Sequence, residues 1–127
     1  MDWGWIGGAS CRGLKKERNR SRVVGTVADQ LARKDVDSVV VFLAYGSVDV
    51  DWNVPYKQHQ GQEVDPQAFV AEMVQALMLL VNELQGLEGG TTGRLTLVLT
   101  FPYTPIVLSK NFMHDDAHFA ALGIRMT

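Results

Sequence analysis

The apolar run Val39-Val40-Val41-Phe42-Leu43-Ala44-Tyr45 is unbroken, rich in β-branched residues and closed by Gly46. A run this short, bounded by turn residues, predicts a strand over 37–45 buried on both faces, as strands of a parallel sheet are. A second run, Leu95-Thr96-Leu97-Val98-Leu99-Thr100-Phe101, stops at Pro102 and predicts another buried strand. Elsewhere the apolar period is helical. Ser21 is placed to cap a helix in which Val23, Val24, Val27, Ala28 and Leu31 share one face, ending near Lys34. Asp65-Pro66 marks a helix start, because the carboxylate accepts free N–H groups and proline at the first helical position loses no bond. From there to residue 85, Phe69, Val70, Met73, Val74, Leu77, Leu80, Val81 and Leu84 form a wide apolar face. Asn111 to Arg125 places Phe112, Met113, Ala117, Ala120, Ala121 and Ile124 on one helical face. The polar stretch from Gly46 to Val64, with Pro55 and Gly61, reads as irregular, and Gly86 to Gly93 as a turn.

Alternating helices and strands with connections of these lengths predict parallel strands joined by right-handed crossovers, with helix 66–85 on one sheet face. Trp3 to Ile6 is a candidate further strand. Two firm strands would leave two open edges, so the expected architecture is an incomplete α/β domain spanning 1–127.

Composition narrows the class. With 127 residues, 46% hydrophobic and 20% charged, the chain builds one core and not two. Glu72, Gln75, Asn82 and Glu83 interrupt the stretch Phe69 to Leu84, which reads as an amphipathic helix and not a membrane span. Met1-Asp2-Trp3-Gly4-Trp5 has no basic head before an apolar run, and a single cysteine, Cys11, forms no internal disulfide. Both fit a cytoplasmic protein, and equally a fragment whose targeting segment is missing. Residues 1–34 hold eight of the twelve Lys/Arg but three of the fourteen acids. The cluster Arg12, Lys15, Lys16, Arg18, Arg20 and Arg22 has no interleaved aromatics and no nucleic-acid motif around it. It is expected to be a solvated loop, without a nucleic-acid partner.

Ligand sites of open α/β sheets lie at the carboxyl ends of the strands, which directs attention to Gly46 through Trp52. There Asp49 and Asp51 alternate with Val48 and Val50, so in an extended segment both carboxylates point to one side. They can bind a cation, share a proton or pair with arginines such as Arg12; the expected role is to hold the acidic loop against the basic one. Ser10 follows a glycine-rich turn. It is either a nucleophile, which needs a base no nearer in the chain than His59, or a turn residue whose hydroxyl bonds nearby backbone. Cys11 has basic neighbours that lower a thiol pKa, against the commoner role of a small half-buried filler. His114 and His118 stand at i and i+4 but lack a third ligand, so neither a metal nor another cofactor is expected. Trp3, Trp5, Trp52 and Tyr56 fit either a sugar-stacking platform or core packing.

Three stretches resemble the SGNH (GDSL-type) hydrolases, esterases and acyltransferases of flavodoxin-like three-layer fold. Gly7-Gly8-Ala9-Ser10-Cys11-Arg12-Gly13-Leu14 looks like the second block, which implies that Gly8 lends a backbone N–H to an oxyanion hole. Gly46-Ser47-Val48-Asp49 sits where the third block, Gly-x-Asn-Asp, would fall. Asp115-Asp116-Ala117-His118 fits the final Asp-x-x-His pattern. The likeness runs from about residue 4 to 105 in its first two blocks and is nearest to a subgroup with some members beside polysaccharide genes. It implies a three-layer parallel sheet flanked by helices, a small ester or acylated carbohydrate as ligand, and Gly8, Ser10, Gly46, Asp49 and His118 as candidate catalytic positions. It also implies impaired chemistry. The nucleophile block Gly-Asp-Ser would precede Met1, and Val48 replaces the asparagine whose side chain donates to the oxyanion. Losing one such donor costs about 10²–10³ in rate. The rival expectation is a non-catalytic binding module on the same scaffold.

Overall fold

The computed structural model describes residues 10–46, 48–49, 53–87 and 92–100. In chain order these form a short 3-10 helix Arg12–Lys15, α1 Glu17–Leu31, β1 Val39–Ala44, α2 Val54–His59, α3 Pro66–Gln85 and β2 Leu95–Thr100. β1 and β2 pair in parallel, from Val39 opposite Leu95 to Ala44 opposite Thr100. The chain is therefore an α/β protein with a two-stranded parallel sheet among the described residues.

Two readings differ from expectation, each for a local reason. α1 begins at Glu17, capped by the extended backbone of Lys16, so Ser21 lies inside the helix and is no cap. Glu17 in the first turn complements the free N–H groups there, and Arg20 donates back to the Leu14 and Lys15 carbonyls at 2.7 and 2.8 Å, closing the 3-10 helix beneath α1. The stretch read as irregular holds α2, with Pro55 in its first turn. A helix of six residues that exposes most of its surface carries no apolar periodicity to betray it. α3 matches its predicted bounds, with the Asp65 carboxylate accepting the Gln67 N–H at 3.0 Å.

The core gathers Leu14, Val23, Val27 and Leu31 against Ala76, Leu80, Val81 and Leu84 of α3 and Leu43 of β1. Val39, Val41, Leu95 and Leu97 pack on this cluster, so one sheet face meets both long helices. The other face does not: Val40 and Phe42 are 53% and 59% exposed, contrary to a strand buried on both sides. Val70 and Val74 are likewise exposed, contrary to their place in the predicted apolar face, since the buried stripe of α3 runs through Phe69, Met73, Ala76, Leu80 and Leu84. By length and composition α3 could cross a membrane, yet its buried stripe faces α1 and the 3-10 helix.

At the amino-terminal end of the sheet Arg94 ties three segments together. Its guanidinium donates to the carbonyls of Leu31 (3.1 Å), Val36 (2.8 Å) and Asp37 (3.2 Å). These bonds join the end of α1, the approach to β1 and the start of β2.

Candidate functional site at the carboxyl end of the sheet

β1 delivers the chain to Gly46, which is buried and has φ of 113°, a backbone state that residues with a Cβ rarely adopt. The turn brings Asp49 inward, where it is fully buried. Its carboxylate accepts the backbone N–H of Cys11 at 2.6 Å and of Arg12 at 3.1 Å. Two successive N–H groups thus hold one carboxylate, and the loop after β1 is locked onto the Ser10–Gly13 turn. Asp49 therefore joins the two loops as expected, but through the Arg12 backbone and not through the guanidinium.

The guanidinium goes elsewhere. Arg12 lies 3.3 Å from the Glu72 carboxylate on α3 and 5.0 Å from the centre of the Phe69 ring, and Lys15 Nζ reaches the same carboxylate at 2.5 Å. The Lys15 hydrogen bond, with the charge of Arg12 beside it, holds the Glu72 carboxyl below the usual glutamate range. Arg20 pairs with Glu83 at 2.8 Å. The basic segment is consequently not a solvated loop. Half of it fastens the 3-10 helix and the first turn of α1 to α3, while Lys16, Arg18 and Arg22 remain exposed.

Ser10 Oγ accepts the Gly13 N–H at 2.9 Å, which makes it the turn-shaping residue. A Cβ at position 13 would sit 2.9 Å from that oxygen, so any other residue there would have to displace the Ser10 side chain. Cys11 is buried and its thiol donates to the Met73 carbonyl at 3.0 Å. Burial first, and the Asp49 charge second, push its pKa up to about 11, the reverse of an activated thiol. His59 is exposed on α2 and makes no contact with Ser10, so a Ser10–His59 pair is not assembled. Gly8, His118 and the Asp115 beside it lie outside the described residues, as do Asp51, the three tryptophans, the candidate strand near Trp3 and the predicted helix 111–125.

Between the Ser10 turn and α2 opens a cleft of about 370 Å³. Ser10, Arg12 and Gly13 form one wall. Asn53, Tyr56, Lys57 and Gln60 form the other, with Gln62 at its end. Positions 53, 56, 57 and 60 are spaced as one helix face, a polar signal legible in the sequence once residues 54–59 are known to be helical. Of this wall the sequence pointed only to Tyr56, as a candidate stacking ring, and it did not point to Glu72 as a partner of the basic segment. Among the described residues no three His, Cys, Asp or Glu side chains gather as a metal site. No family model matches this chain, and neither does any curated protein or solved structure.

Proposed function

We propose that the chain is an SGNH-type ester hydrolase/acyltransferase-like domain, of three-layer ancestry, acting on acylated carbohydrate or another small ester, with its chemistry impaired. The observation that carries this reading is the buried Asp49 clasp. It draws together the two motifs that bear the resemblance, Ser10 to Leu14 and Gly46 to Asp49, at the rim where ligands of α/β sheets bind. The impairment follows from Val48, which has no group to donate to an oxyanion, and from Ser10, whose Oγ accepts the Gly13 N–H and touches no base among the described residues.

That last observation favours a second reading, a binding module on the same scaffold. Fluorophosphonate labelling beside turnover of a short-chain aryl ester separates the two. Weak turnover with a labelled serine is expected of an impaired hydrolase. No labelling and no turnover would leave the binding module, whereas robust labelling of Ser10 abolished by His118→Ala would mean a competent enzyme.

A further inference from the structure

We infer that the cleft between the Ser10 turn and α2 binds an anionic saccharide, a hydroxyl-rich ring bearing one carboxylate, with Lys57 as the acid-binding group. This deepens the carbohydrate side of the proposed function and rests on it for the choice of sugars.

The charge of the cleft comes first. Among the described residues its lining holds two cations and no carboxylate, in a chain whose net charge is −2. Arg12 is neutralised by Glu72, but Lys57 has no ion-pair partner among the described residues. A compact ammonium on a flexible stem, facing a cleft whose described lining holds no acid, is a receptor for one negative charge.

The remaining groups suit hydroxyls. Gln62 Nε2 donates to Gln60 Oε1 at 3.5 Å, and Gln60 Nε2 donates to Tyr56 Oη at 2.7 Å. This chain orients the wall before any ligand arrives, which reduces the ordering cost of binding. It leaves the Tyr56 O–H free to donate and the Gln62 carbonyl free to accept. Asn53 stands at the start of α2, where an asparagine commonly caps its own helix, yet it makes no capping bond. It lines the cleft, and its side-chain amide carries a donor and an acceptor side by side. Ser10 has its oxygen engaged with Gly13 N–H while its proton remains available. The half-exposed Tyr56 ring offers an apolar face to the C–H side of a pyranose. The volume falls in the range of about 300–1,000 Å³ typical of small-molecule sites.

The test is an NMR titration of the 15N-labelled chain with sodium glucuronate, glucose and sodium acetate, read at the side-chain amides of Asn53, Gln60 and Gln62. Glucuronate is expected to bind at least about tenfold more tightly than either control, a difference of one well-placed charge contact. Lys57→Gln is expected to reduce glucuronate to the level of glucose with an unchanged melting temperature. Equal affinity for glucose and glucuronate, or equal affinity for acetate, overturns the inference, as does a Lys57→Gln variant that keeps the preference. The wild-type comparison decides the matter even if the variant fails to fold. Failure here is distinct from failure of the hydrolase reading. Glucuronate binding by a chain inert to the aryl ester removes only the latter, and ester turnover without glucuronate preference removes only the former.

Discussion

On one face of the sheet Val39, Val41 and Leu43 lie under α1 and α3, while on the other Val40 and Phe42, equally apolar, stand largely exposed. Alternate residues of one strand thus meet opposite environments, and their side-chain chemistry does not distinguish them. The difference teaches that burial is conferred by what crosses a face. The covered side has two long helices and a polar clamp at each end of the sheet. Asp49 holds the carboxyl-end loop to the Ser10 turn, and Arg94 holds the amino end to α1. The open side has neither among the described residues.

The largest expected effect is on the covered side. Leu80 is fully buried at the helix interface, so Leu80→Asp places an unpaired charge in the core and should abolish the cooperative thermal transition. A variant melting at the wild-type temperature would erase the distinction between the faces. Asp49→Ala should come next, costing about 2–4 kcal/mol in chemical denaturation, because two buried N–H groups lose a charged acceptor. Arg94→Ala should cost about 1–3 kcal/mol, since its three carbonyl acceptors are only partly buried. If it matched Leu80→Asp, the clamp and not the apolar contact would be holding the covered face.

A smaller effect lies in Cys11. Its thiol pKa is raised from 9.0 to about 11 in the folded chain, so stability is fully present below pH 9 and is lost as pH rises toward 11, where the unfolded chain ionises first. Urea midpoints at pH 8 and 10 should show the loss in wild type and a smaller one in Cys11→Ala, where the partly buried Tyr45 phenol, also raised from its ordinary value, still contributes. The smallest effect is on the open side. Phe42→Ser should shift stability by less than about 0.5 kcal/mol, as expected where no packing is removed. A loss as large as that of a core truncation, about 3–5 kcal/mol for phenylalanine, would show that this face is also covered.

Much of the fold was legible because its signals are local. The Asp65-Pro66 start, the apolar stripe down α3 and both strands follow from period and capping chemistry within a few residues. α2 was not legible, because a short exposed helix needs no apolar face. The basic segment misled for another reason. Charge runs are usually solvated, and the two acids that engage this one, Glu72 and Glu83, lie more than fifty residues away on α3. The candidate site was half legible. Gly46 and Asp49 were singled out from their place after a strand, whereas Asn53, Tyr56, Lys57 and Gln60 became one wall only when α2 aligned them.

What the amino-acid sequence determined by itself is therefore the two strands, their parallel pairing, the two long helices and the position of the rim, because period, caps and connection length act within a segment. Tertiary structure alone decided three things: which face of β1 is buried, that Asp49 takes backbone N–H groups and leaves the Arg12 guanidinium to Glu72, and that Cys11 is a protonated core residue. The last two depend on groups brought together across 37 to 62 positions of chain and the first on both long helices, and no local preference specifies a partner that folding must first carry into contact.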